Sequence, residues 1–324
     1  YLTMFLVAIG LTTSHTLWAQ DEVTTDEQTI GDAFQDHRNP IRVLFGTERL
    51  DLWSLKSITR RDAPSIITRD IAHPIDTWIH HALHEVGIFK SPRADRRTII
   101  RRMTFNLLGL PPTPDEVDAY THDDAPDADE RLVDRLLASP RYGERFARGW
   151  LDVVRYADTN GYERDEFRPL AWQYRDYVVR AFNLDKPYNR FVTEQLAGDE
   201  LVNSPPATHD EADALIATGY LRLGQWDSTA AIFQEEQRLR AEILADLTNT
   251  TASAFLGLTM SCCQCHDHKY DPLAQADHYR LRAFFAGVTE RDDLVITLAD
   301  EHQRFTQHNA TLDTEIAKLQ EKQA

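Results

Sequence analysis

Hydrophobic residues recur at intervals of three and four along most of the chain from Pro74 onward, and this period predicts amphipathic α-helices. A second helix is predicted to end at Gly109, because Pro111 and Pro112 cannot continue it. Long alternating patterns, which are typical of strands, do not occur in the sequence. The first helix has its apolar positions at Ile75, Trp78, Ile79, Leu83 and Val86, with Gly87 as the expected stop. The predicted fold class is therefore all-α.

Capping and helix-breaking residues place the remaining helices. Thr113, Pro114 and Glu116 have the pattern of a capping box at the start of a short helix. The expected architecture is an irregular multi-helix domain between an extended N-terminal segment and a C-terminal helical linker. In that linker Leu312, Ile316 and Leu319 have the spacing found at the start of a coiled coil. Further helices are predicted over 129–138, 142–156, 171–183, 189–197, 209–220, 230–256 and 275–285.

The first 20 residues have the pattern of a secretory signal. An apolar stretch from Leu2 to Leu11 is followed by small and polar residues and then by Ala19 and Gln20. The stretch is shorter than the roughly 20 residues of a transmembrane helix. A buried N-terminal helix and an uncleaved signal anchor are the alternatives. Because no methionine or basic segment precedes the stretch, we expect the true start to lie upstream, and we expect export to the periplasm or cell surface.

The expected organisation is a signal peptide with an incomplete start over 1–20, an irregular segment over 21–50, a helical domain over 51–290 and a linker over 291–324. The formal net charge is −17, with 35 Lys and Arg residues against 52 Asp and Glu residues. Such a surface repels phosphates, so nucleic acid is not an expected partner. Beyond the signal segment the sequence has no apolar run of membrane length, so no further membrane span is expected.

All three cysteines and two of the thirteen histidines lie between Cys262 and His268. Cys262, Cys265 and His266 form the pattern C-x-x-C-H. Two thiols at this spacing can bond to the two vinyl groups of one haem, and the next histidine can bind the iron as proximal ligand. Haem is attached in this way outside the cytoplasm, where the signal segment would send the chain. We therefore predict covalent haem c, with Cys263 as a bystander thiol.

Two other interpretations of the cysteine cluster remain open. In an oxidising compartment two of the three cysteines could form a disulfide and leave one odd thiol. A zinc ion could also be bound by four closely spaced side chains: Cys262, Cys265, His266 and His268. Ligands so close in sequence rarely complete one tetrahedral site, and no second pair of cysteines or histidines follows.

Residues beside the motif are candidates for supporting roles. His268, Lys269 and Asp271 are expected to hold the motif or the haem by hydrogen bonds and charge. His268 is too close to His266 to reach the opposite face of the same haem. A distal ligand would have to come from elsewhere, for example from His278 or Met103.

A polar loop over residues 158–170 is a second candidate site. Oxygen side chains of this kind bind Ca²⁺ in many exported proteins, although the spacing differs from that of an EF-hand loop. Paired carboxylates could also be the acid and base of a polysaccharide-active hydrolase. In the third interpretation the loop is structural, with arginines paired to its acids. The residues concerned are Asp158, Asn160, Glu163 and Asp165.

Three long segments, 106–120, 138–201 and 262–288, resemble the planctomycete cytochrome-like (PSCyt-type) family of domains of unknown function. The resemblance extends over about residues 50 to 288 and includes the C-x-x-C-H motif that gives the family its name. In that family the domain often follows a small cytochrome c domain and precedes a second uncharacterised domain. Neither is recognisable in this sequence, so the resemblance implies part of a longer exported protein.

The sequence and the resemblance together favour an exported c-type haem protein. It would serve in electron transfer or as the redox part of a larger surface enzyme. Its expected partners are a redox partner or neighbouring domains of a longer chain. The alternative is a haem-free helical scaffold or binding module with structural thiols or a bound metal, and the weaker alternative is a hydrolase component. Whether the chain is itself an enzyme stays open.

Overall fold

Helices make up the regular structure of this protein. The computed structural model describes residues 56–64, 73–291 and 294–323. Within these ranges it has eleven α-helices and no β-sheet, and an isolated antiparallel bridge joins Thr159 to Phe167. The predicted all-α class is confirmed.

Some helices follow one another directly, whereas longer connections over 154–170, 218–235 and 257–274 separate others. Two 3₁₀ helices, Thr218–Arg222 and Ser261–Gln264, lie among them. Of the helices described, none combines the length and the apolar character needed to cross a bilayer. The signal segment at 1–20 and the irregular segment at 21–50 lie outside the described residues. The α-helices are α1 (Pro74–Glu85), α2 (Arg96–Leu108), α3 (Pro114–Thr121), α4 (Ala128–Leu137), α5 (Pro140–Val153), α6 (Ala171–Asn183), α7 (Tyr188–Leu201), α8 (His209–Ala217), α9 (Glu236–Leu256), α10 (Gln275–Phe284) and α11 (Ala299–Gln323).

The end of α2 and the start of α3 lie where local residues predict them. α2 ends at Gly109, whose φ of 73° is left-handed and suits a residue without a Cβ. At the start of α3 the main-chain N of Thr113 donates to Glu116 Oε2 at 2.7 Å, and Glu116 N donates to Thr113 Oγ1 at 3.3 Å. The predicted capping box is thus confirmed.

The described residues form two compact units, one within Phe45–Leu136 and the other within Leu137–Ala324. In the first unit α2, α3 and α4 enclose a small core in which Ile100 and Leu136 are completely buried. Tyr120 belongs to the same core, and its hydroxyl donates to Asp129 Oδ1 at 2.6 Å. This unit therefore has a hydrophobic core of its own.

The second unit has two hydrophobic clusters. One joins α5, α6 and the 3₁₀ helix Thr218–Arg222, with Tyr177 and Tyr220 completely buried. The other joins α9, the 3₁₀ helix Ser261–Gln264 and α10, and it contains Leu247, Met260 and Cys263. The predicted haem motif therefore lies against a packed core.

Glycines allow two pairs of helices in the second unit to approach closely. A Cβ at Gly198 in α7 would lie 1.9 Å from the carbonyl O of Ala214 in α8. A Cβ at Gly143 in α5 would lie 2.4 Å from the carbonyl O of Val179 in α6. Both distances are shorter than a carbon–oxygen contact allows, so only glycine fits at these crossings.

The helix predicted over 230–256 begins later than expected, at Glu236. Asp227 Oδ1 accepts hydrogen bonds from the N and Oγ1 of Thr229 at 2.9 and 2.6 Å, and Gln234 has a left-handed φ of 60°. A non-glycine residue in this conformation interrupts a helix, so turns precede α9.

Further boundaries also differ from prediction. The helix predicted over 142–156 is α5, which ends at Val153, and Arg155 beyond it has a left-handed φ of 56°. The helix predicted over 189–197 continues as α7 to Leu201, with a non-helical residue at Ala197 (φ −153°, ψ 30°). The helix predicted over 209–220 is α-helical only to Ala217 and then tightens into a 3₁₀ helix. Such tightening is common at the C-terminal end of a helix. The predicted helical tail is confirmed as α11.

Candidate functional site

The C-x-x-C-H motif forms one helical turn after α9. α9 ends at Leu256 and is followed by Gly257, whose φ of 65° is left-handed. The 3₁₀ helix Ser261–Gln264 follows, and the N atoms of Cys265 and His266 both donate to the carbonyl O of Cys262 at 3.3 Å. The two thiol-bearing residues of the motif and its histidine therefore lie on a single turn, as the spacing predicts.

The turn is attached to the core by its other residues. Met260 and Cys263 are 1% and 0% exposed, and they pack in the cluster that contains Leu273 and Phe285. Cys262 and Cys265 are exposed, and all three cysteines are free. Burial raises the pKa of the Cys263 thiol, and its sulfur lies 3.6 Å from the carbonyl O of Leu273. Cys263 is thus an anchor, while Cys262 and Cys265 are accessible.

Side chains of α10 hold the end of the motif. Gln275 Nε2 donates to the carbonyl O of Cys265 at 3.0 Å, and the Tyr279 hydroxyl donates to the carbonyl O of Gln264 at 3.0 Å. Asp267 Oδ1 accepts from Gln275 N at 2.8 Å, at the start of α10. These contacts connect the turn to a regular helix and limit its movement.

His266 is exposed, and its Nδ1 lies 2.8 Å from the carbonyl O of Asp267. A carbonyl oxygen can only accept, so Nδ1 must carry a hydrogen. In the neutral ring the lone pair is then on Nε2. Metal-binding histidines commonly have this arrangement, because the hydrogen bond selects the tautomer and orients the ring.

His268 organises the loop that follows the motif. It is only 8% exposed. Its Nδ1 accepts from the main-chain N of Asp271 at 2.8 Å and of Tyr270 at 3.3 Å, and its own main-chain N donates to Leu273 O at 2.8 Å. Lys269 is exposed, with its Nζ 5.1 Å from the centre of the Tyr270 ring. The bond between His268 and Asp271 thus holds the loop that follows the motif in a compact turn.

The two residues suggested as distal haem ligands lie in helices of different units. His278 is completely buried on the same side of α10 as Leu281, and neither of its ring nitrogens has a hydrogen-bond partner. Burial, and to a lesser extent the charge of Arg282, lowers the pKa of His278. Met103 in α2 packs against the core of the first unit. Within the described ranges, no three His, Cys, Asp or Glu side chains converge so that they could hold a metal ion.

The polar loop over 158–170 engages most of its acidic and amide side chains internally. Asp158 Oδ1 accepts from the Tyr156 hydroxyl at 2.6 Å, and Asp165 Oδ1 accepts from Gly161 N at 2.7 Å. Hydrogen bonds from the Thr159 side chain and from the main-chain N of Gly161 lower the pKa of Asp165. Glu163 is exposed.

Arg168 attaches the same loop to the rest of the unit. Its Nε donates to Asn160 Oδ1 at 2.8 Å, and its Nη1 and Nη2 donate to the carbonyl oxygens of Leu223 and Gly224 at 3.2 and 2.6 Å. Arg168 thus holds the loop in place through an amide and two carbonyl oxygens, whereas the structural interpretation expected arginines paired with the acids of the loop.

Sequence reasoning missed a buried ionic group in α7. The side chain of Glu194 is only 2% exposed. Its Oε2 accepts hydrogen bonds from Lys186 Nζ at 2.5 Å and from the Tyr177 hydroxyl at 2.9 Å. Its Oε1 accepts from Arg190 Nε at 2.7 Å. The spacing of Arg190 and Glu194 by four residues was a visible signal. The approach of Tyr177 from α6 was not.

A second missed contact joins Arg155 to Asp246 in α9. Arg155 Nε donates to both carboxylate oxygens of Asp246, at 2.9 and 2.8 Å. The sequence indicates arginines paired with acids of their own loop, whereas this pair is separated by 91 positions.

Comparison with known proteins identifies the family but not a characterised relative. No curated protein and no solved structure matches this chain. The model of one family, PSCyt2, described as a protein of unknown function (DUF1549), matches residues 74–290. That range begins with α1 and ends after α10, so it includes both the polar loop and the C-x-x-C-H turn. The chain therefore belongs to the PSCyt2 (DUF1549) family of proteins of unknown function.

Proposed function

We propose that this protein is an exported c-type haem protein that binds haem covalently through Cys262 and Cys265, with His266 as proximal ligand of the iron. The proposal rests on the exposure of these three side chains and on the hydrogen bond of His266. Both thiols are free and exposed on one turn, and His266 has its Nδ1 bound to the carbonyl O of Asp267. The donor set thus fits a c-type haem in residue type, order and accessibility.

The thiols would form the attachment by simple addition. Each sulfur would bond to one carbon of a vinyl group, while the thiol hydrogen goes to the other carbon, so no atom is lost. Cys263 does not compete with its two neighbours, because it is completely buried and burial raises its pKa.

The chain's own residues would orient His266 to bind the iron. The hydrogen bond from His266 Nδ1 to Asp267 O keeps Nε2 available and makes the imidazole a stronger donor. Gln275 and Tyr279 fix the main chain on either side of Cys265. When bound, haem supplies one-electron redox chemistry, which suits electron transfer or the redox part of a larger surface enzyme.

Expression together with a cytochrome c maturation system tests the proposal. The expected product retains haem after denaturation, gives a pyridine haemochrome spectrum and has the mass of the chain plus one haem. Replacement of both motif cysteines, Cys262→Ser with Cys265→Ser, should abolish covalent haem. Cys263→Ser is the matched control, because it removes a neighbouring thiol outside the motif, and it should retain the haem.

A colourless product with the mass of the bare chain would overturn the haem proposal. The haem-free helical scaffold, with structural thiols or a bound metal, would then be the better interpretation. Elemental analysis of the same sample for zinc separates these two versions of the scaffold.

Export is part of the proposal, because haem is attached to this motif outside the cytoplasm. Fractionation of the expressing cells, followed by N-terminal sequencing of the mature protein, tests it. The expected result is a protein in the periplasm or at the cell surface whose first residue lies near Gln20. Recovery of all the protein from the cytoplasm would contradict export.

A further inference from the structure

α11 carries an apolar stripe that is exposed to solvent. Phe305, Leu312, Ile316 and Leu319 are 58, 41, 50 and 59% exposed. All residues from 302 to 322 are exposed, so the part of the chain that the structure describes covers no side of this helix. Four large apolar side chains on one face of a helix favour burial against a partner.

The stripe follows the heptad spacing of a coiled coil. With Ile316 at an a position, His302 and Asn309 also fall at a, and the d positions are taken by Phe305, Leu312 and Leu319. The helix contains three complete heptads, 302–308, 309–315 and 316–322. At 1.5 Å per residue its 25 residues extend over about 37 Å. In proteins most of the stability of a helix comes from packing of its apolar face and not from intrinsic propensity, so α11 gains from a partner for this stripe.

The choice of residues at a and d indicates the number and direction of the strands. Among parallel coiled coils, a β-branched residue at a with leucine at d, as at Ile316 and Leu319, favours two strands. A single asparagine at a, as at Asn309, fixes register in a parallel dimer, because the two amides meet and bond to each other. Both features suit pairing of identical helices.

We infer that α11 is a dimerisation helix and that its partner is α11 of a second copy of this chain, parallel and in register. This inference does not depend on haem binding. Dimerisation would bury the stripe formed by Phe305, Leu312, Ile316 and Leu319 against itself.

Charges beside the stripe support the parallel arrangement. In a parallel dimer His308 at g lies opposite Asp313 at e of the second copy, where an imidazole N–H can donate to the carboxylate. Glu315 at g lies opposite Gln320 at e, where a hydrogen bond can form. No pair of like charges meets at these positions.

The antiparallel arrangement with the same apolar layers brings like charges together. Glu315 then lies opposite Glu315 of the second copy, and Asp313 opposite Asp313. His308 lies opposite Lys322, and Asn309 lies opposite Leu319 instead of a second asparagine. Like charges at neighbouring e and g positions are a means by which coiled coils reject an orientation.

Sedimentation velocity of the chain over a concentration series tests the inference. The wild-type protein should dimerise increasingly with concentration. Leu312→Asp should raise the dimer Kd by about 100-fold or more, because it places a charge in the apolar layer of both helices. Thr314→Asp is the matched control: it adds the same charge two positions away on the outer face, and the dimer should remain.

Orientation is tested separately with Lys322→Glu. In the parallel dimer this change should leave Kd unaltered, because no charged position of the second copy lies opposite Lys322 within α11. In the antiparallel dimer it should tighten binding, because a carboxylate would replace an ammonium opposite His308.

Several outcomes would overturn the inference. One is a wild-type protein that sediments as a monomer at every concentration, and another is a dimer that withstands Leu312→Asp. Tighter binding on Lys322→Glu would reject the parallel arrangement. Leu312 is exposed in the single chain, so circular dichroism should show that the variant keeps its fold.

Discussion

Cys262 and Cys263 are adjacent in the chain but differ completely in exposure: Cys262 is exposed, and Cys263 is 0% exposed with its sulfur 3.6 Å from the carbonyl O of Leu273. The 3₁₀ turn that contains both residues directs Cys263 into the core and leaves Cys262 and Cys265 accessible. In a chain without haem we therefore predict that a thiol reagent modifies Cys262 and Cys265 and spares Cys263.

Mass spectrometry after brief alkylation measures this difference. The native chain should gain two adducts, and the denatured chain should gain three. Burial raises the pKa of Cys263, so its unreactive thiol form is favoured as well as shielded. A native chain that gains three adducts at one rate would contradict the buried position of Cys263.

His278 should make the stability of the chain depend on pH. Burial, with a smaller contribution from Arg282, lowers its pKa below the usual value near 6.5. The unfolded chain then binds a proton on this ring at a higher pH than the folded chain does. The free energy of unfolding should therefore fall as the pH decreases below about 6.5, until the folded-state pKa is reached.

Urea unfolding at a series of pH values measures the contribution of His278. His278→Leu should reduce the loss of stability between pH 7 and pH 5, because its side chain cannot titrate and leaves no unpartnered ring nitrogen. His209→Gln, at an exposed histidine, should keep the pH dependence of the wild-type protein. Equal pH dependence in the His278 variant and the wild type would contradict the prediction.

Gly198→Ala should destabilise the second unit by about 1–3 kcal/mol or more, because the added methyl group overlaps the carbonyl O of Ala214 at a helix crossing. The matched control is Gly149→Ala in α5. A Cβ there meets no atom within 4 Å, so the change should stabilise by about 0.4–1 kcal/mol. Thermal unfolding of both variants measures the difference, and equal effects would argue against the close crossing of α7 and α8.

Glu194→Ala should lower the free energy of unfolding far more than Arg190→Ala, which removes its half-exposed partner. The change leaves Lys186, whose side chain is 7% exposed, without its carboxylate, and breaking a buried ion pair in this way costs about 3–5 kcal/mol. Arg190→Ala removes a side chain that is 49% exposed and should cost about 0–1 kcal/mol. Chemical denaturation checks this order, and similar losses in both variants would contradict it.

The helical class and most helix ends could be predicted from the sequence because their causes are local. Gly109 ends α2 in a left-handed conformation, and Thr113 and Glu116 cap α3 through bonds between residues three positions apart. The start of α9 was predicted wrongly because the side chain of Asp227 competes for local hydrogen bonds, and Gln234 adopts a conformation that propensity does not indicate.

The candidate haem site was predictable to a similar extent. The spacing of Cys262, Cys265 and His266 places them on one turn, since a helical turn brings residues three and four apart together. The spacing alone says nothing of Cys263, whose burial depends on Leu273 and Phe285 further along the chain. It also does not indicate that Gln275 and Tyr279 would hold the turn.

The sequence by itself determined most of the helices, several of their caps, the C-x-x-C-H turn and the helical tail, because each depends on the backbone preferences and hydrogen bonds of residues within a few positions. The tertiary structure alone decided which polar groups are buried and which groups far apart in the chain are paired. Arg155 meets Asp246 across 91 positions, and His278 lies without a hydrogen-bond partner inside a packed core. Burial and charge pairing arise when helices distant in sequence pack together, so the order of residues along the chain does not reveal them.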